Sequence, residues 1–99
     1  MADMSVKVCG VDFKNPIIPA SGVFGYDKLG GIATKGTTLH RRTGNLAPRI
    51  AETPSGMLNS VGLQNPGIDH FIESELPYLL TKDLVVLANI AGSTPDECA

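Results

Sequence analysis

No stretch of this 99-residue sequence is apolar for long enough to span a membrane, and its start, MADMSVKVCG, lacks a secretory hydrophobic run. Nor is there an excess of charge of either sign. A formal net charge of −2 removes the electrostatic reason to expect nucleic acid or an anionic membrane as partner. No GxGxxG or Walker A pattern occurs, so a dinucleotide-binding or P-loop site has no support. Cysteine is scarce: Cys9 and Cys98 sit at opposite ends without metal-ligand spacing, and two free thiols are expected rather than a disulfide. With these absences the default expectation is a cytoplasmic protein. Its 42% hydrophobic and 18% charged residues are ordinary for a folded chain and exclude disorder throughout. The length suffices for one small domain but not for a large enzyme core.

What is present reads as α/β. Val6, Val8, Val11 and Phe13 alternate around Cys9-Gly10, a short β-hairpin. Residues 16–20 (PIIPA) form a brief apolar run with prolines towards its ends, compatible with a buried strand. Residues 31–35 are a second candidate strand. Residues 84–89 are the clearest, continuously apolar and β-branched as in a parallel sheet covered on both faces.

Asn65 is placed as a helix N-cap with Pro66 at the first helical position. Ile68, Phe71, Ile72, Leu76 and Leu79 follow on one face, and Pro77 should stop or kink the helix near its end. Helix and following strand make half of a βαβ unit. Thr94-Pro95-Asp96-Glu97 is a further helix start, which marks residues 1–99 as a partial domain, the front of a longer α/β protein. Residues 39–65 show no periodicity, and loops of that length are usually functional or disordered. The apolar residues Met57, Leu58, Val61 and Leu63 argue against disorder and are expected to hold the loop down.

Ligands in parallel α/β architectures gather at the carboxyl ends of strands. Those ends carry Ser21-Gly22, Lys35-Gly36-Thr37-Thr38 and Asn89, and the long loop would add Asn59, Ser60 and backbone N–H groups. Singly, each has a plainer reading: a solvated lysine, a turn-capping asparagine, a serine-glycine turn. Joint placement at one rim is what makes them candidates. Arg41, Arg42 and Arg49 would suit an anion but equally a solvated loop, and His40 and His70 lack partners for a metal site or a catalytic pair.

Five segments then occur in order: NPIIPASGVFGY, TKGTT, PRIAETPSGMLNSVGLQNPG, ELPYL and ANIAGS. Together they closely resemble the amino-terminal third of the class 1B dihydroorotate dehydrogenase catalytic subunit, over roughly residues 6–97. The resemblance implies the first three or so strands of an FMN-binding (β/α)8 TIM barrel, preceded by the β-hairpin. It implies oxidation of dihydroorotate to orotate in de novo pyrimidine (UMP) biosynthesis, with a hydride passing from C6 to FMN. It further implies a partner subunit carrying FAD and a [2Fe–2S] cluster that hands electrons to NAD, and a homo-oligomer.

By matched motif, Ser21, Lys35, Gly36 and Asn89 are implied as FMN contacts. Lys35, Asn59, Ser60, Val61, Gly62 and Leu63 are implied as contacts to dihydroorotate or orotate. The family's catalytic base is a cysteine in an NxSCPN-like segment. Nothing here matches it, neither Cys9 nor Cys98 is a substitute, and that base is expected beyond Ala99.

The sequence departs from the family in two places. His40-Arg41 replaces the usual Glu-Pro, and the stretch after Tyr26 is short: about ten residues separate Ala20 from Gly31, fewer than a parallel crossover needs. Either the first barrel helix is lost or a segment is missing from this sequence. The alternatives to the enzyme are a non-catalytic truncated barrel fragment and a related FMN barrel acting on another dihydropyrimidine.

Overall fold

The computed structural model describes residues 2–20 and 28–99. Strands β1 (Val6–Val8) and β2 (Val11–Phe13) pair antiparallel, with Val6 opposite Phe13. Cys9 and Gly10 both have positive φ, 49° and 81°. That is the turn geometry whose twist matches a two-residue hairpin. Of the four alternating apolar residues only Phe13 is buried.

Strand β3 (Gly31–Ala33) pairs in parallel with β6 (Val85–Leu87), Ile32 facing Val86. Both are shorter than the runs of residues 31–35 and 84–89 that announce them. Backbone hydrogen bonds nevertheless continue the pairing from Gly30, which accepts from Val85, to Ala91, which donates to Thr37. Residues 16–20 are a correction to the expected three parallel strands. No strand forms there; instead the Ile17 carbonyl accepts from the N–H groups of Gly30 and Gly31. Pro16 and Pro19 have no N–H to donate, so this run lends β3 a carbonyl but cannot complete a ladder. The described parallel sheet has two strands and an unclosed edge.

Between β3 and β6 the chain inserts a hairpin, β4 (Ile50–Thr53) and β5 (Gly56–Asn59), and then a helix, α1 (residues 68–80). The hairpin corrects the reading of residues 39–65 as irregular throughout. It also corrects the expectation that its apolar residues are covered: Met57 and Leu58 are 61% and 66% exposed. Both faces of this two-stranded ribbon are open, so pairing, not burial, defines it.

Helix α1 starts at Ile68, not at Pro66, and Gly67 occupies the N-cap position with φ 95°. Asn65 makes no bond to the first turn of the helix; its side chain stops at the N-cap residue, accepting from the Gly67 N–H. Nor does Pro77 end it. Residues Phe71–Glu75 widen into a π turn, and Pro77 then falls at the start of a renewed α-helical stretch, Leu76–Leu80. A π turn re-registers the backbone hydrogen bonds, so the missing N–H and the bulky ring of Pro77 fall where they do least harm. Phe71 and Leu79 are buried, whereas Ile72, expected on the same face, is 52% exposed.

After β6, a single 3-10 turn, Pro95–Glu97, begins as the Thr94-Pro95 signature predicts. Glu97 reaches back to accept from the Ser93 N–H.

The core is small. Phe13, Ile32, Phe71 and Leu79 are its buried apolar residues among those described, and the chain exposes 7423 Å². A compact protein of 10.4 kDa exposes about 5400 Å². Its radius of gyration of 16.3 Å likewise exceeds the roughly 12.6 Å of a close-packed chain of this length.

Candidate functional site

The carboxyl ends of β3 and β6 meet at a rim whose backbone is tied by side chains as well as by the ladder. Thr34 Oγ1 accepts from the Asn89 N–H at 3.1 Å, and the Asn89 carbonyl accepts from Thr37 N–H at 2.9 Å. The hydroxyls of Thr34 and Thr37 both donate to the Lys35 carbonyl, at 3.4 and 3.1 Å. Thr34, Thr37 and Thr38 are buried, which partly shields these bonds from water. They turn the chain out of β3 while leaving the Lys35 side chain exposed, without a hydrogen bond or ion pair among the described residues.

Gly36, next along, is buried. A methyl group there would come within 2.8 Å of Leu63 Cδ1 and 3.7 Å of Asn89 Nδ2. The structure thus brings Gly36, Leu63 and Asn89 into one contact group, with Lys35 beside it.

The 60–65 loop is held by Asn45 and Arg49, neither of which was expected in that role. The Asn45 amide donates to the carbonyl and the hydroxyl of Ser60, at 3.1 and 2.8 Å. Its backbone N–H donates to the Val61 carbonyl, while Ser60 N–H donates to the Arg49 carbonyl. The Arg49 guanidinium donates to the carbonyls of Asn45 and Thr43 and to Gln64 Oε1. Arg49 is a strut inside the loop and is not free to clamp an anion.

Gly62 and Leu63 both have positive φ, 77° and 53°, which folds the loop back towards Gly36. Asn65, 5% exposed, completes the scaffold through Thr38 and Leu63. Asn45, Arg49, Thr38 and Asn65 act across 15 to 27 residues of sequence, and no local pattern announces such pairs.

Asn59 closes the β4–β5 ladder opposite Ile50, and its exposed amide is unengaged among the described residues. It borders an open cleft of about 190 Å³ with Pro48, Arg49, Ile50, Ala51, Leu58 and Ser60. Enclosed small-molecule pockets run to about 300–1,000 Å³, so this cleft is too small and open to enclose such a ligand by itself. Arg41 and Arg42 line a separate, polar cleft with Gln64, Asn65, Pro66 and His70, without an ion pair among the described residues. His40 borders a neighbouring cleft with Arg41 and Arg42.

Ser21 lies outside the described residues. Asp3 is held below the usual carboxylate range by the Ser5 N–H but is fully exposed, which makes it no candidate for acid–base chemistry. Among the described residues no group of His, Cys, Asp and Glu could hold a metal, and no helix is long and apolar enough to cross a membrane.

Comparison with known proteins gives a consistent picture. Residues 3–99 match the dihydroorotate dehydrogenase family. A relative from Petrotoga mobilis, the catalytic subunit of dihydroorotate dehydrogenase B (NAD(+)), is 54% identical over 107 residues, covering 98% of this chain and 36% of the relative. The same subunit from Anoxybacillus flavithermus is 49% identical, covering 98% and 34%. That from Bacteroides thetaiotaomicron is 47% identical, covering 98% and 35%. The chain therefore spans about a third of the length of these curated relatives. An alignment of 107 positions on a 99-residue chain also means that the relatives hold residues this chain lacks, in keeping with the short stretch after Tyr26.

Proposed function

The chain belongs to the dihydroorotate dehydrogenase family, and from that premise we propose that it provides the first flavin- and pyrimidine-binding segment of an FMN-dependent dihydroorotate oxidase. The observation that carries the reading is the contact group at the strand ends: buried Gly36 under Leu63, Asn89 beside it, and an exposed lysine next in sequence. A side chain at Gly36 would collide with Leu63, so glycine here lets the loop close down onto the end of β3 beside Asn89 and Lys35.

When bound, FMN would supply the hydride acceptor for C6 of dihydroorotate. The residues of this chain would do the rest of the work at that rim. The Lys35 ammonium would offset negative charge at the flavin edge and draw in the substrate carboxylate. Asn59, which both donates and accepts, suits the edge of a pyrimidine ring, and the Val61, Gly62 and Leu63 backbone would border it alongside Ser60. Ser21 and Asn89 complete the proposed FMN contacts. No residue of this chain is proposed as the base that takes the C5 proton. Electron transfer onward to a partner subunit with FAD and a [2Fe–2S] cluster, assembly as a homo-oligomer and a cytoplasmic setting belong to the same proposal.

A second reading, a non-catalytic barrel fragment, has its own observation in the small core and the expanded surface. One measurement separates them. The purified chain mixed with FMN and desalted should retain a flavin absorption band near stoichiometry, and orotate should perturb that band. No retained flavin favours the fragment. Flavin retained but indifferent to orotate points to another dihydropyrimidine.

Within the first reading, Asn59→Ala should weaken orotate binding about tenfold, the loss of one hydrogen bond to a ligand in a partly desolvated site. Flavin retention should be unchanged in that variant. Equal losses of both ligands in a titration would contradict the division of roles.

A further inference from the structure

We infer that Asn65 is the positioning residue of the proposed pyrimidine-binding loop, holding Leu63 over Gly36 through its side-chain amide. The inference rests on the reading of residues 59–63 as that loop. It begins from Leu63, whose φ of 53° is a conformation that a residue with a Cβ seldom adopts. Such a conformation persists only where its surroundings over-determine it.

The surroundings here are specific. Asn65 Nδ2 donates to the Leu63 carbonyl at 2.8 Å and to Thr38 Oγ1 at 3.0 Å. Its Oδ1 accepts from Thr38 N–H at 3.1 Å and from Gly67 N–H at 3.0 Å. The side-chain amide thus spends all four of its hydrogen-bonding capacities, in a position 5% exposed. Thr38 Oγ1 has its own proton committed to the His40 carbonyl at 2.6 Å, which leaves it to accept from Asn65. The Asn65 backbone is fixed as well, exchanging both bonds with Arg42 at 2.9 and 3.1 Å.

One residue therefore ties three segments together: its side chain joins the tail of β3 that carries Lys35 and Gly36 to the loop, and its backbone adds the Arg42 segment. Of its four side-chain bonds, the one to the Leu63 carbonyl sets where the Leu63 side chain sits against Gly36. A loop displaced by about 1 Å can cost a hundredfold in a positioned reaction. Asn65 touches no proposed ligand position in this arrangement; it acts through Leu63.

The test uses two variants of the 99-residue chain with FMN added. Asn65→Asp keeps the shape and both accepting bonds but sets an oxygen against the Leu63 carbonyl. Thr38→Val removes the hydroxyl and leaves the bond from Asn65 to Leu63 in place. The expected result is a ten- to hundredfold weaker orotate affinity in Asn65→Asp, unchanged flavin affinity, and near wild-type orotate affinity in Thr38→Val. Equal effects of the two variants on orotate, or a loss of flavin and orotate together, would reduce Asn65 to a structural role and overturn the inference.

Should Asn65→Asp fail to fold, exchange of the Asn65 side-chain amide protons in the wild-type chain decides. Saturating orotate should slow it, and an unchanged rate overturns the inference. If the wild-type chain ignores orotate, the functional reading fails separately. The Leu63 amide–Hα coupling then still judges Asn65, because a wild-type value in Asn65→Asp shows that the amide does not hold the loop.

Discussion

Phe13→Ala is expected to cost about 3–5 kcal/mol and to unfold most of the chain. Phe13 is 5% exposed and closes the N-terminal hairpin opposite Val6. Its ring lies on Gly31, where an added methyl would come within 3.0 Å of Cε1. The hairpin is thereby fastened to the first residue of β3. A ring removed from that place leaves a cavity, and Gly31 has no side chain to move into it.

The effect is large because little else is buried. With four buried apolar residues among those described, the chain is expected at the lower end of the 5–15 kcal/mol usual for a domain, so ~4 kcal/mol is a large part of it. Urea denaturation followed by far-UV circular dichroism reads the change directly. A midpoint equal to the wild type would mean that the hairpin stands outside the cooperative unit. The exposed neighbour Val11 provides the contrast, since Val11→Ala should shift the midpoint little.

On the proposed reading, and in a full-length protein that supplies the base, Lys35→Ala is expected to slow reduction of bound flavin by dihydroorotate about 10²–10³-fold, the range seen when one preorganised charge-stabilising donor is removed. The threonine hydroxyls that bind the Lys35 carbonyl fix its backbone, so the substitution deletes the ammonium without loosening the rim. Far-UV spectra should therefore match the wild type. Lys35→Arg should recover only part of the rate, because a planar guanidinium does not place its charge as a compact ammonium does. Stopped-flow bleaching of the flavin band at saturating dihydroorotate gives the rate, and desalting gives the flavin content. Wild-type values of both in Lys35→Ala would remove Lys35 from the site.

These two predictions draw on different parts of the sequence-to-structure relation. The hairpin was legible in the alternation of Val6, Val8, Val11 and Phe13 around Cys9-Gly10, because turn chemistry and period are local properties. So were the parallel strands β3 and β6, whose apolar runs need no distant partner to be recognised. The string of motifs from NPIIPASGVFGY to ANIAGS identified the family, and residues 3–99 match it.

Where local reading went astray, a tertiary contact or its absence was responsible. Residues 16–20 look like a strand but have too few donors for a ladder. Asn65-Pro66 has the chemistry of a helix start, yet the Asn65 amide bonds Thr38, Leu63 and the N-cap residue Gly67 and none of the first turn of α1. Pro77 was expected to stop or kink α1 near its end; the helix carries on only to Leu80, with a π turn just before the proline taking up the misfit. Met57 and Leu58 are apolar without being buried, since nothing among the described residues packs on the β4–β5 ribbon.

By itself, then, the sequence determined the N-terminal hairpin, the two parallel strands, the helix between them, the family and the residues to examine at the strand ends. Those depend on period, turn chemistry and motif, all encoded within a few residues. Only the tertiary structure decided that Gly36, Leu63 and Asn89 share one contact group and that Asn65, Asn45 and Arg49 build the loop above it. Those relations are hydrogen bonds and packing between residues far apart in the chain. They exist only once the parallel pairing of β3 and β6 has brought Thr34, Thr37 and Asn89 to the same edge.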